Sequence, residues 1–210
     1  MSRIVVFGAG GRAGRRVLAE AVERGHQVTA VVRDPARHTG LAAPGVTVVT
    51  GDATDAERVA EIAAGHDAVI SSVYQEDLAH EEFYLRAARA LLGGLAKAGV
   101  PRLVVVSLGT VLPGAPEVPA EYRPFVEARA AELATFRAAE TDLDWLLVAP
   151  PPTMLDPDGE RTGHYRTSVD TALDTPEDAP LFRYADLAVA LVDEATEPRH
   201  HRTLLAVRSY

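Results

Sequence analysis

A chain of 210 residues can bury one full α/β core but leaves no room for a second large domain. Its net charge of -9 repels phosphate-rich surfaces, which sets nucleic acid and anionic membrane aside as partners. With no cysteine, disulfides, zinc-thiolate sites and thiol nucleophiles are excluded; with no apolar run approaching a membrane span, the chain is expected in the cytoplasm, held together by packing alone.

Arg3 to Phe7 reads as a strand that runs into Gly8-Ala9-Gly10-Gly11-Arg12-Ala13-Gly14. The apolar recurrence Val17, Leu18, Ala21, Val22 then predicts a helix to about Arg24, stopped at Gly25. Strands follow at 28–32 and 46–50, separated by a connection around Pro35 and Gly40 to Gly45. Thr54 is placed to cap a helix that carries Val59, Ile62 and Ala63 inward and ends near Gly65. A strand at 67–73 leads to a helix from about Leu78 to Ala98, and 100–107 supplies the next strand. A Pro/Gly-rich loop between Leu108 and Arg123 precedes a helix from Pro124 to Glu140 and a strand at 143–149 halted by Pro150-Pro151-Pro152. Residues 153–180 read as polar and irregular with an ambiguous piece at 165–173, followed by a helix at 185–195 and a final strand at 203–207.

The strands are continuous apolar runs that alternate with helices, as a parallel sheet covered on both faces requires. The predicted fold class is therefore α/β: a Rossmann-type doubly wound parallel sheet in one domain, 1–210, with 153–183 as a small C-terminal substrate-side lobe.

The glycine turn carries the chemistry. Gly8-x-Gly10-x-x-Ala13 fits the dinucleotide fingerprint in its Gly/Ala form, while Gly8, Gly11 and Gly14 also give Gly-x-x-Gly-x-x-Gly; both registers put an anion at the same turn. Glycine has no Cβ to keep a pyrophosphate away from backbone N–H groups, and the helix dipole is positive there. An ordinary tight turn would also account for the glycines, but the strand before them and the periodic helix after them favour a nucleotide.

Arg33 follows the second strand, where an acid would bond the ribose 2′-hydroxyl and an arginine accommodates a 2′-phosphate. Arg12 and Arg37 are near enough in sequence to share that phosphate, and a small register shift would make Asp34 the ribose-binding acid. The expected cofactor is NADP, with NADPH preferred over NADH. Asp52, at the end of the third strand, can accept a hydrogen bond from the adenine amino group. Ser71 and Ser72 end the fourth strand beside the expected ribose, and Ser107 ends the fifth beside the expected nicotinamide. The loop from Leu108 to Arg123 lies past a strand end, where a substrate lid belongs. The seven histidines form no helical metal-binding pattern, so no metal is assigned, and the acidic run from Asp174 to Asp178 reads as solvated loop.

These residues carry a resemblance. The Gly8 to Gly14 turn, Val32-Arg33, Gly51-Asp52-Ala53-Thr54-Asp55, Asp67 to Ser71, Val106-Ser107-x-Gly109, Leu143-Asp144-Trp145 before Pro150, and Gly159-Glu160-Arg161-Thr162-Gly163-x-Tyr165-Arg166 together resemble the atypical short-chain dehydrogenase/reductases. Within them the chain is most similar to the NmrA-like NAD(P)H-binding group described as NADH-flavin reductases, relatives of the flavin and biliverdin-IXβ reductases. The resemblance implies that Gly8, Gly10, Gly11, Arg12, Ala13, Arg33, Asp52 and Ser71 lie along the cofactor, with Ser107 and the Pro150-Pro151 corner flanking the nicotinamide.

One departure from that family shapes the expected chemistry. Most short-chain reductases use Tyr-x-x-x-Lys, and the one lysine here, Lys97, follows none of the six tyrosines by four residues. Substrates that need mainly proximity to hydride are therefore expected: flavins, quinones and conjugated enones or pigments. Tyr122 and Tyr165 are the best proton-donor candidates, with His164 third, although packing roles compete for each; Ser107, beside the expected nicotinamide, completes the expected catalytic set. The expected activity is NADPH-dependent reduction of a small planar acceptor; a non-catalytic NADP(H) sensor and a nonredox isomerase or tailoring enzyme are the alternatives.

Overall fold

A computed structural model describes residues 1–75, 80–174 and 179–210. The predicted Leu78 start of the long helix and most of the acidic run at 174–178 lie outside the described residues. In chain order the elements are β1 (Arg3–Phe7), α1 (Arg12–Glu23), β2 (Gln27–Val32), β3 (Val46–Thr50), α2 (Ala56–Ala63), β4 (Ala68–Ser71), α3 (His80–Ala98), β5 (Arg102–Val106), α4 (Arg123–Ala138), β6 (Asp144–Ala149), β7 (Arg166–Val169), α5 (Tyr184–Thr196) and β8 (Thr203–Arg208). Single 3₁₀ turns occupy Pro35–His38, Gly109–Val111 and Ala120–Tyr122.

The strands form one sheet in the order β3-β2-β1-β4-β5-β6-β8-β7. Connections run outward in one direction from β1 to β3 and in the other from β4 onward, so the order reverses between β1 and β4, where Phe7 lies opposite Ser71. Such a reversal opens a crevice at the carboxyl ends of the strands. Alternate side chains explain the two covered faces: Ile4 and Val6 of β1 pack under α1 and α5, while Val5 and Phe7 pack under α2, α3 and α4. On the second face Phe136 of α4 meets Trp145 of β6 at 5.6 Å between ring centroids. Burying each such ring stabilises the fold by about 1.5–3 kcal/mol before the cost of ordering it.

Two expectations need correction. The ambiguous piece at 165–173 contains β7, which pairs antiparallel with β8 through Arg166 opposite Arg208, so the sheet is not wholly parallel. Its mostly exposed residues suit an edge strand and not a doubly covered one, which is why no apolar run marked it. The second helix is capped by Asp55, whose carboxylate accepts from the Arg58 N–H at 3.1 Å, and not by Thr54. Thr54 is held elsewhere: its N–H and hydroxyl both donate to Asp52 Oδ1, at 2.8 and 2.9 Å. As read from the sequence, β2 and β3 are joined by a connection without an α-helix; it holds the Pro35–His38 turn, where Asp34 accepts from the Ala36 N–H at 3.0 Å.

Candidate functional site

The site starts where β1 stops. Gly8 sits at φ +77°, and a methyl there would lie 2.6 Å from the Ser72 carbonyl oxygen, so no other residue fits without backbone movement. The Gly11 N–H donates to the Gly8 carbonyl at 3.0 Å, and α1 begins immediately after Gly11 with no side chain capping it. The first N–H groups of a helix lack intrahelical partners, so this terminus offers donors to an anion. A methyl at Gly14 would collide with the Gly8 carbonyl; its absence lets α1 press directly onto the turn.

A cavity of about 550 Å³ lies along the carboxyl ends of β3, β2, β1 and β4. Gly8, Gly10, Gly11, Arg33, Asp34, Arg37, His38, Asp52 and Ser72 line it, together with Tyr74, Gln75 and Phe83. Arg33 and Arg37 are both exposed at its rim, and neither forms an ion pair among the described residues. The His38 ring covers Gly10, and Arg15 Nε donates to the Gly10 carbonyl at 3.0 Å. Sequence reasoning passed over His38, Arg15 and Tyr74. Only the fold-back of the Pro35–His38 turn brings the histidine over the glycines.

Other predicted residues stand differently. Arg12 opens α1 and is exposed outside the cavity wall, while Ala13 turns toward the core under α1 and α5. Ser72 faces the cavity and donates to the Phe7 carbonyl at 3.2 Å, whereas Ser71, one residue earlier, is buried in the sheet. Ser107 is also buried, at the end of β5, with its N–H on the Val148 carbonyl at 2.7 Å. The hydroxyls of Ser71 and Ser107 have no hydrogen-bond partner among the described residues.

A second cavity, of about 580 Å³, lies at the carboxyl ends of β6 and β8 on the same edge of the sheet. Gly109, Leu112, Gly114 and Pro116 of the long loop form one wall, Pro150, Pro151 and Pro152 another, and Leu181, Phe182, Val207 and Arg208 the remainder. Gly109 lets the loop settle on the proline corner, because a methyl there would strike the Pro150 carbonyl. Ser107 ends the strand between the two cavities.

The two tyrosines expected to donate protons line neither of these cavities. Tyr122 is 57% exposed before α4, and the Tyr165 hydroxyl is turned to α5. Burial, and then the hydrogen bond it donates to Asp193 Oδ2 at 2.6 Å, raise the Tyr165 hydroxyl above its ordinary pKa. His164 is exposed and turned toward the Tyr210 ring. Residues 156–165 act instead as a strap. Arg161 donates to both oxygens of buried Glu20 at 2.7 and 2.9 Å, and Thr162 and Gly163 donate N–H groups to Asp186 Oδ1 at 2.8 and 2.9 Å. Burial works to raise the Glu20 carboxyl, but the bonds from Arg161 and Arg24 outweigh it and hold its pKa below the ordinary value.

Behind Ser107 is a buried charged pair that sequence reasoning also missed. Arg129 of α4 donates to the Val106 carbonyl, lies 4.3 Å from the Tyr84 ring centroid and sits 3.1 Å from Glu132 Oε2. Burial pushes the Glu132 carboxyl up to about 7, with Arg129 pulling the other way. A chain with 21 basic residues, all but one arginine, gave no reason to single out this one.

These residues fit a dinucleotide. The turn excludes Cβ atoms where phosphates would approach, the helix start is uncapped, and two buried hydroxyls lack partners beside the crevice. Among the described residues no group of three or more metal-ligating side chains is assembled. Nor is any of their helices long and apolar enough to cross a membrane.

Strand order and glycine cradle thus define a dinucleotide-binding α/β protein of the doubly wound class. The chain belongs to the NAD(P)H-binding family, whose sequence model matches residues 8–198. It is 30% identical to the uncharacterized protein YwnB of Bacillus subtilis, over 99% of this chain and 98% of that protein. Among solved structures it is similar to a Burkholderia pseudomallei protein described as "putative exported", with TM-score 0.85, 31% identity and coverage of 99% of this chain and 100% of the other. A Streptococcus pneumoniae protein described as a "putative NADH-flavin reductase" superposes with TM-score 0.85 at 26% identity, covering 100% of both chains.

Proposed function

We propose that this protein is an NADPH-dependent reductase of a small planar acceptor, a flavin, quinone or conjugated enone or pigment, of the NmrA-like short-chain reductase type. The observation that carries the reading is the pairing of two cavities on one edge of the sheet, one polar and built on the glycine cradle, the other walled by prolines and aliphatic side chains. The α1 start would take the pyrophosphate, Arg33 and Arg37 the 2′-phosphate, and Asp52, through its remaining carboxylate oxygen, the adenine amino group. When bound, the dihydronicotinamide supplies a hydride, which the acceptor takes up together with a proton. Ser107 would orient the carboxamide or the acceptor from the strand end between the cavities. Arg129 holds that strand end by bonding the Val106 carbonyl, and the proline corner keeps water from one side.

Protonation by solvent suits this reading, because Tyr165 is committed to Asp193 and Tyr122 stands in water. Hydride transfer to a flavin or quinone leaves a delocalised anion that solvent can protonate, so no buried acid is needed. The same placement of the tyrosines favours, as a second reading, an NADP(H) sensor that binds without turnover.

The test is NADPH consumption with FMN, menadione and a panel of enones. Turnover with at least one acceptor is expected; tight NADP binding with none would favour the sensor. In the same assay Arg33→Ala should weaken NADPH about 10- to 100-fold and leave NADH almost unchanged, since a charged hydrogen bond is lost only with the phosphate. Equal weakening of both would remove the 2′-phosphate role.

A further inference from the structure

Arg208, the last residue of β8, lines the apolar cavity, and its Nε is buried without a hydrogen-bond partner. Among the described residues no carboxylate lies within ion-pair reach of its guanidinium, although Asp174 also borders the cavity. The buried arginines of this chain are answered: Arg102 by Glu194 and Asp144, Arg129 by Glu132 and the Val106 carbonyl. A second feature aggravates the imbalance. Arg208 stands directly opposite Arg166 across the antiparallel pair, and like charges so placed repel. Arg166 lies over the Tyr210 ring, 4.8 Å from its centroid, and also has no ion pair among the described residues. Two cations without a carboxylate at one sheet edge stand out in a chain whose net charge is -9, where acidic partners outnumber basic ones.

We propose that Arg208 is a specificity residue that binds an anionic group, a carboxylate, sulfonate or phosphate, on the substrate of the second cavity. The substrate class is thereby narrowed to aromatic or conjugated molecules with an apolar body and one acidic substituent. The body packs against Leu112, the Pro150–Pro152 corner and Phe182, while the acid reaches Arg208 in the same cavity. A guanidinium fork matches such groups with two parallel hydrogen bonds, and the apolar walls strengthen them. This inference rests on the second cavity being the acceptor site of the proposed reductase, but the contact itself involves no redox step.

The test therefore reads binding as well as turnover. With NADP⁺ present, 2-naphthoate and the neutral 2-naphthamide are titrated calorimetrically against the wild-type chain, Arg208→Gln and Arg208→Lys. The wild type should prefer the acid at least tenfold, Arg208→Gln should bring the two within about twofold, and Arg208→Lys should keep part of the preference. Melting curves of the variants confirm that they fold; Arg208→Gln removes an unpartnered group and should melt no lower than the wild type. Turnover arms separate the sources of the anion: FMN against riboflavin for phosphate, and naphthoquinone-2-sulfonate against menadione for a ring substituent. No acid preference in the wild type, or a preference that survives Arg208→Gln, overturns the proposal. An acid preference that Arg208→Gln abolishes, in a protein that reduces no acceptor, keeps the anion site and removes the reductase reading instead.

Discussion

The two halves of the carboxyl edge solve opposite problems with the same sheet. Over β3, β2, β1 and β4 the chain strips side chains away and offers backbone N–H groups and arginines; over β6 and β8 it fills the edge with prolines and aliphatic walls. The first half suits a highly charged molecule in few orientations, while the second suits flat apolar ones and carries one cation, Arg208, in its wall. Under the proposed function, cofactor recognition would start from backbone geometry, helped by a few polar side chains, and acceptor recognition would rest on side chains throughout. Changes in the first half should therefore act through space and strain, and changes in the second through surface and charge.

The largest effect should come from the backbone half. Gly14→Ala forces a methyl against the Gly8 carbonyl, so stability should fall by about 1–3 kcal/mol, and NADP binding should fall more than tenfold as α1 is pushed off the turn. Thermal melting and calorimetric titration check both; an unchanged protein would mean that α1 is free to shift. Between the halves, Glu132→Gln tests the buried pair. A carboxyl raised from 4.5 to about 7 contributes stability that is complete below pH 4.5 and is lost as pH rises through about 7. The glutamine variant should lack that decline, a difference of about 3 kcal/mol across the window, read by denaturant melts at several pH values.

On the side-chain half, Leu181 is 49% exposed at the cavity wall, and Leu181→Glu should raise the acceptor KM about fivefold while NADPH binding stays unchanged. A matching loss of NADPH binding would erase the division between the halves. The smallest effect belongs to Tyr165→Phe. Losing its bond to Asp193 should cost about 0.5–1.5 kcal/mol of stability and leave turnover intact. A large drop in kcat would return this tyrosine to the chemistry.

The backbone half was the more legible in sequence, for the same reason that it is the stricter. Gly8 and Gly14 are written in the residues themselves, because a Cβ at either would strike backbone, and the apolar runs of the inner strands announce a covered sheet. Side-chain direction was less legible. Ser71 and Ser72 look equivalent in sequence, yet strand alternation buries one and presents the other. Thr54 looked like a cap until Asp52 engaged it. Tyr165 sits in a signature that resembles a site, but Glu20 and Asp186, distant in sequence, make that segment a strap. Arg129 and Arg208 were hidden among arginines; burial distinguishes the first and a buried, unpartnered Nε the second.

Pro150, Pro151 and Pro152 have one more consequence. Three successive residues without an N–H give this wall no donors of its own, and each ring already fixes the backbone angle in the unfolded chain. Its shape is thus set by covalent stiffness more than by hydrogen bonding. As temperature or denaturant rises, the facing 108–123 loop should loosen first, and the acceptor cavity should fail by losing one side while the other keeps its form.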